Sequence, residues 1–345
     1  MATTNDAATV HGEAVIIDGL FCKTYSPIPP TPEVDDMMLG HIVASGVTAF
    51  NDSVVADSYP HSLESAISAL YHEHVMVQAF PDEALIVRSV EDILEAKRSG
   101  RVGVILSTQG LHAMGEDTRR LWVLYELGVR IAQITYNERN ALGCGCREPV
   151  DTGLTRIGQK AIEEMNLLGL VVDLSHAGHR TAMEAAMHSK QPVIASHSSV
   201  RELNPHPRNL SDELIRAIAD TGGVVGLCPH SIFVEKQRGV RPTVDDFIDH
   251  VEYVAQLVGI DHVGIGTDNF QYETHFTHVG RRSFERTYPG FFGGYGTEEK
   301  HAEGFSRWSD WPNLTAALLR RGFSAEQTKK VLGENFLRVF RAVWK

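Results

Sequence analysis

Cysteine is scarce in this chain, with four among 345 residues, too few for a disulfide framework. The pair in Cys144-Gly145-Cys146 is too tightly spaced and too isolated for a zinc knuckle. That usage fits a reducing, cytoplasmic home. No apolar stretch approaches the roughly 18 residues a membrane span needs. Met1 to Glu13 is polar and lacks an apolar core, so no secretory signal is expected. Basic runs are missing too: 32 Lys and Arg against 44 Asp and Glu leave a net charge of -12, which argues against a nucleic-acid partner. No low-complexity linker divides the chain, so residues 1–345 are expected to form one domain. With 43% hydrophobic residues there is ample core for it.

What is present is a regular alternation of strand and helix patterns. Apolar strands are expected near Ala14–Ile17, Gly46–Asn51, Val75–Phe80, Val102–Leu106, Val129–Thr135, Leu170–Leu174, Pro192–Ala195, Gly223–Leu227 and His262–Gly266. Helical periodicity falls between them at Leu63–His72, Val90–Arg98, Thr118–Leu127, Thr155–Leu168, Thr181–Met187, Leu210–Ala219 and Thr243–Val258. Repetition of β/α units without an all-β block predicts an α/β protein, a (β/α)8 TIM barrel of the metal-dependent hydrolase type. Val75–Phe80 makes one strand too many for that count, and is either the true third strand or a short excursion. Residues Gln271–Pro312, rich in glycine and aromatics, read as a long loop over the barrel mouth. Ala325–Trp344 reads as a final helix with an apolar side.

Three of the strands end on metal-binding side chains. They are Asp173-Leu174-Ser175-His176, Val193-Ile194-Ala195-Ser196-His197 and Gly264-Ile265-Gly266-Thr267-Asp268. Strand tips converge at the C-terminal mouth of such barrels, where catalysis occurs. His176 and His197 there suit a transition metal. Asp268 either binds the ion or accepts a proton during attack on a carbonyl. Arg208, in Asn204-Pro205-His206-Pro207-Arg208-Asn209, offers a two-pronged grip for a substrate carboxylate, or else braces its loop. Tyr136 offers a hydroxyl to a developing oxyanion, or packs as a core aromatic. His61, His72, His74, His188, His250 and His301 have no converging partners in the sequence. The first strand, Val15-Ile16-Ile17-Asp18-Gly19-Leu20-Phe21-Cys22, carries no histidine at all.

At these residues the sequence resembles the membrane (renal) dipeptidase family of the amidohydrolase superfamily. The likeness runs through Asp173-Leu174-Ser175-His176, Ser196-His197-Ser198-Ser199, His206-Pro207-Arg208-Asn209 and Gly264-Ile265-Gly266-Thr267-Asp268. It continues through Gly158–Gly169 and the tail from Leu318-Leu319-Arg320-Arg321-Gly322-Phe323 to Gly333-Glu334-Asn335-Phe336, nearly the whole chain in order. The resemblance implies a (β/α)8 barrel, commonly a homodimer, that hydrolyses dipeptides bearing a free carboxylate at a two-zinc site. It implies His176 and His197 as ligands of the second zinc, Asp268 as ligand of the first and proton acceptor, and Arg208 as the substrate contact. Tyr136 falls where many members place a histidine near the scissile bond.

Two departures bear on the chemistry. Where the family begins Asp-Gly-His-x-Asp, this chain has Asp18-Gly19-Leu20-Phe21-Cys22. Where the family has a bridging glutamate, this chain has Gln109, in Gln109-Gly110-Leu111-His112. A histidine and two carboxylates are thereby lost, and a second dication would be poorly compensated. The expectation is one zinc on His176 and His197, completed by Gln109 or Asp268 and a water that attacks the amide. Cys22 is either a further ligand or an inert buried thiol. The rival expectation is a metal-free barrel that binds an amino-acid-like ligand, or transforms it by a lyase or isomerase step.

Overall fold

The computed structural model describes residues 6–21, 32–56, 62–268, 286, 293–296 and 299–345. Its strands are β1 (Ile17–Phe21), β2 (Ala49–Ala56), β3 (Ala84–Val87), β4 (Val102–Gln109), β5 (Ile131–Gln133), β6 (Val171–Asp173), β7 (Val193–Ser198), β8 (Val224–Leu227) and β9 (Val263–Ile265). All the pairings between them are parallel, and β2 also pairs with β4. The ring β1-β2-β4-β5-β6-β7-β8-β9 therefore closes on itself as an eight-stranded barrel. Helices separate successive strands and cover the barrel outside, as a (β/α)8 barrel requires.

β3 stands outside the ring. It pairs with Val102–Ile105, the first half of β4, while β5 takes Ser107–Gln109 on the same edge. The strand expected at Val75–Phe80 is not formed; most of that segment continues the helix Leu63–Ala79. Its buried residues Ala66, Leu70, Glu73, Met76 and Val77 recur every three or four positions, so helical spacing outweighs the β-branched run.

Local signals fix the helices. Thr155 caps Arg156–Leu168 by accepting from Gly158 N at 3.0 Å. Gly169 ends that helix at a φ of 86°, a conformation a side chain would strain. The expected single helix at Ala325–Trp344 runs as Ala325–Lys329, a wider turn at Lys330–Glu334, and Asn335–Val343. The turn presses on β1: a Cβ on Gly333 would stand 2.3 Å from the Val15 carbonyl. Beyond it, Asn335 Nδ2 donates to the carbonyls of Ile260 and Val263 at 2.7 and 2.8 Å. This docks Phe336 beneath the barrel, packed with Ile17, Ile105, Ile131, Val171, Ile194 and Val224. The floor is therefore dry and the opposite end of the barrel is left for chemistry.

Across β4, β5 and β6, Gln109 stands level with Gln133, and Gln133 with Asp173. Residues at and just past this level form the rim. Of the expected loop Gln271–Pro312, residues 271–285, 287–292 and 297–298 lie outside the described residues, as does Cys22. Its end is helical, since Trp311 begins the helix Trp311–Arg320.

Candidate active site

His176 follows β6 by three residues and His197 lies in β7, and their Nε2 atoms are 2.9 Å apart. Each ring is held from behind. Ser196 Oγ donates to Asp173 Oδ2 at 2.5 Å and so must accept from His197 Nδ1 at 2.8 Å. Asn137 Oδ1 accepts from His176 Nδ1 at 2.8 Å. With both Nδ1 atoms engaged from behind, both Nε2 atoms face one point. Without an ion their 2.9 Å contact is a hydrogen bond in which one Nε2 carries the proton, and protonation of both Nδ1 atoms would free both Nε2 lone pairs for an ion. Such backing of each imidazole is characteristic of metal-ligating histidines. Burial first, then the nearby Arg208 cation, holds both imidazoles well below their ordinary pKa, so both are neutral and able to bind an ion.

Backbone strain is concentrated here. Among the described residues, His176 and Asp268 are the two non-glycine positions with positive φ, at 65° and 50°. Gly266 makes room beside them: a Cβ there would meet the Ser196 carbonyl at 2.0 Å and His197 Cβ at 3.2 Å. Only glycine lets the end of β9 approach β7 so closely.

Gln109, at the end of β4, reaches the same point. Its amide nitrogen lies 3.3 Å from His176 Nε2 and 3.4 Å from His197 Nε2, while its oxygen accepts from Ser53 Oγ at 3.2 Å. In this orientation the amide nitrogen faces both imidazole Nε2 atoms. Turning the amide over would present its oxygen instead. Tyr136 stacks its ring on His176, centroids 4.3 Å apart. Arg208 is buried, donating to the His197 carbonyl at 2.8 Å and to Ser198 Oγ at 3.3 Å, with its guanidinium over Phe233 at 5.4 Å. Its Nε–H has no hydrogen-bond partner among the described residues. Asp268 is tied down by its backbone, its N–H donating to Leu20 O at 3.0 Å and its carbonyl accepting from Lys300 Nζ at 2.6 Å. Its Oδ1 is buried and without a partner among the described residues.

Among the described residues, no three His, Cys, Asp or Glu side chains stand together as a metal site. The convergent donors are two imidazoles and an amide, which suit one ion between the Nε2 atoms. The position where a family histidine would serve a further ion is filled by Leu20, fully buried.

Several residues at this rim went unselected in the sequence. His230 follows β8 by three residues, as His176 follows β6, so the same strand-tip reasoning could have found it. His301, set aside as unpartnered, bonds Thr267 O at 2.8 Å and faces His230 at 5.7 Å between rings. Asn137, Ser196 and Asp173 act one step behind the imidazoles, and nothing in their spacing announces that. His250, also set aside, is structural: its Nδ1 accepts from Val200 N at 3.1 Å.

The chain matches the profile "Membrane dipeptidase (Peptidase family M19)" over residues 31–280 and 270–345. It is 32% identical over 330 residues to the dipeptidase verJ of Clonostachys rogersoniana, covering 95% of this chain and 73% of that protein. To the dipeptidase aclJ of Aspergillus oryzae it is 32% identical over 270 residues, 77% of this chain and 58% of that protein. Among solved structures, an amidohydrolase from Pseudomonas aeruginosa superposes with a TM-score of 0.86 at 33% identity, covering 98% of this chain and 99% of that one. A metallo peptidase from Rhodobacter sphaeroides, liganded with a phosphinate mimic of the dipeptide L-Ala-D-Ala, shares the fold at 19% identity, covering 96% and 100% of the two chains, with a TM-score of 0.80. By the extent of these matches, the chain belongs to the membrane dipeptidase family, peptidase family M19.

Proposed function

We propose that this dipeptidase-like hydrolase cleaves small dipeptides with a free C-terminal carboxylate at a site reduced to a single zinc ion. The observation that carries the reading is the convergence of two buried Nε2 atoms on one point, with each ring held from behind by Asn137 or by the Ser196–Asp173 stitch. His176, His197 and the turned amide of Gln109 would hold the ion. When bound, it would supply an activated water and polarise the scissile carbonyl. Arg208 has a buried cation and a spare Nε–H for the substrate carboxylate. Asp268 has an unpartnered carboxylate oxygen with which to take a proton and return it to the leaving amine. Tyr136 walls His176 and offers its hydroxyl to the developing oxyanion.

The test is elemental analysis of the purified protein together with dipeptide assays. About one zinc per chain is expected, as for a catalytic zinc site, with turnover lost to a chelator and restored by zinc. Full turnover after exhaustive metal removal overturns the reading. One observation favours the alternative of a metal-free barrel that binds or transforms an amino-acid-like ligand. As it stands, the Gln109 amide nitrogen and the contact between the two rings satisfy the Nε2 atoms by hydrogen bonds without an ion. Tight ligand binding with no metal and no hydrolysis would select it. A homodimer in the cytoplasm completes the proposal. Support for the reducing compartment comes from Cys144, Cys146 and Cys228, all free thiols, and light scattering tests the dimer.

A further inference from the structure

Arg208 is a buried cation that makes no ion pair among the described residues. Its head is held by the His197 carbonyl at 2.8 Å, by Ser198 Oγ at 3.3 Å and by the ring of Phe233. A buried guanidinium left in that state calls for an anion from outside the chain. The loop that carries it is built to keep it still. Asn204 Nδ2 donates to the carbonyls of Ile232 and Glu235, both at 3.1 Å. Asn209 Nδ2 donates to those of Asn204 and Phe233 at 2.9 and 2.8 Å. Both asparagines are buried, so residues 204–209 are sewn onto the short helix Ser231–Val234.

His206 stands two residues before Arg208 and packs on the same aromatic ring. Its centroid is 4.9 Å from that of Phe233, and the Arg208 guanidinium lies 5.4 Å from it. The Arg208 backbone N–H donates to His206 Nδ1 at 3.2 Å, so in the neutral ring the proton sits on Nε2. The ring stays neutral, because burial first, and then the Arg208 and Arg147 cations, lower its pKa to about 3. No group among the described residues accepts the Nε2–H. A half-buried imidazole thus keeps one N–H donor beside a guanidinium that has no counter-ion. Anchoring the loop needs only Nδ1, a task the shorter asparagine performs in Asx turns. The second nitrogen is left for a ligand.

We propose that His206 is a second donor to the substrate's C-terminal carboxylate, its Nε2–H taking one oxygen while Arg208 takes the other. This deepens the dipeptidase reading and rests on it. Arg208 supplies the charge and His206 the direction. Together they select peptides that end in a free acid, because a terminal amide sets its own N–H groups against two donors.

Two substitutions separate the two nitrogens. His206→Asn keeps an acceptor for the Arg208 N–H but falls short of the Nε2 position, whereas His206→Gln reaches that position with an amide N–H. The experiment compares kcat/KM for Ala-Gly and for its C-terminal amide in the native protein and both variants, with the melting temperature of each. The native protein should favour the free acid. His206→Asn should cut that preference by about tenfold, mainly through KM, the size of one lost hydrogen bond to a charged group. His206→Gln should keep most of it. Calorimetric binding of glycine against glycinamide provides an arm that needs no turnover. A glycine preference present in the native protein and His206→Gln, and lost in His206→Asn, upholds the inference even if no peptide is cleaved. In that case the hydrolase reading alone fails. A native-like acid preference in His206→Asn overturns the inference. So does an equal loss in both variants, or a native protein that treats acid and amide alike.

Discussion

At the β6–β7 corner of the rim, Asp173 accepts from Ser175 N at 3.0 Å, two residues on. It also accepts from the Ser196 N–H at 2.9 Å and the Ser196 hydroxyl at 2.5 Å on the neighbouring strand. At the β1–β9 corner, Asp18 accepts from Leu20 N at 3.2 Å, again two residues on. It accepts too from the Thr267 N–H at 2.8 Å and the Thr267 hydroxyl at 2.6 Å. One stitch is used twice, a buried carboxylate tying its own chain to a hydroxyl residue next door. The residue after each hydroxyl is a site residue, His197 in one case and Asp268 in the other. The corners then diverge. Ser196 passes the stitch on to an imidazole nitrogen, whereas the β1–β9 corner meets the buried alkyl chain of Leu20. The same scaffold thus orients an imidazole at one corner and, beside an alkyl wall, the carboxylate of Asp268 at the other.

The sharpest way to break this comparison is to remove an imidazole. His197→Ala should lower kcat/KM for a cleaved dipeptide by roughly a thousandfold or more, the scale of losing a group that acts only in catalysis. Zinc content should fall with it. Leu20→Ala at the other corner should leave zinc content unchanged while costing about 2–5 kcal/mol of stability, read by denaturant unfolding, because it only empties core. If both variants lose zinc alike, the corners are not different in kind.

Next in size is a pH effect of opposite sign at the two corners. Burial pushes the Asp18 carboxyl up to about 7 from 3.8, against the hydrogen bonds from Thr267 and Leu20. Below about pH 4 the group is protonated whether folded or not and costs nothing. Between about 4 and 7 the unfolded chain ionises first, so stability falls with rising pH, reaching on the order of 4 kcal/mol above 7. Asp18→Asn should remove that slope. His176 and His197, held below 6.5 by burial and by Arg208, act the other way. As pH drops below 6.5 the unfolded chain takes up protons that the fold refuses, and stability falls. His197→Gln should therefore gain on the native protein as the solution is acidified. Asp173 is itself pushed up, chiefly by burial, so the β6–β7 corner mixes both signs and only the paired variants separate them. Denaturant titrations from pH 4 to 8 read both slopes, and parallel curves for the two variants would refute the contrast.

The stitches themselves give a smaller effect. Ser196→Ala should weaken zinc binding by about 10–100-fold, because the His197 tautomer loses its support. Thr267→Val should leave zinc affinity alone and cost about 1–3 kcal/mol of stability by stranding the Asp18 carboxylate.

Much of this was readable from strand tips. An apolar run of fixed length closing on a His or Asp identifies a barrel rim, and so His176, His197 and Asp268 stand out in the sequence itself. The stitches do not, because they depend on which hydroxyl of the next strand lies level with each carboxylate, a matter of register. Val75–Phe80 misleads for a related reason. Its β-branched residues carry a local preference that the buried face of a long helix, set by Ala66 and Leu70 upstream, overrides. His301 was set aside because it comes from a loop after the last strand, at no position the barrel pattern specifies.

The mildest and most diagnostic change is Gln109→Glu. In the native arrangement the amide nitrogen faces both imidazole Nε2 atoms, which also bond each other, so the corner is satisfied without an ion. A carboxylate supplies no donor. In a chelator, the introduced carboxylate would bury a negative charge where the native amide supplied a donor, and the metal-free form should lose stability. With zinc present the same charge compensates the dication that two neutral imidazoles and a neutral amide leave uncompensated. Zinc affinity should rise by about tenfold or more, the order of one added charged ligand contact. Thermal unfolding with and without zinc should accordingly diverge more in the variant than in the native protein. A packing role for Gln109 would shift both melting curves together. Only a residue at the ion's own position moves them apart, which ties the β6–β7 corner, and not its twin at Asp18, to the metal.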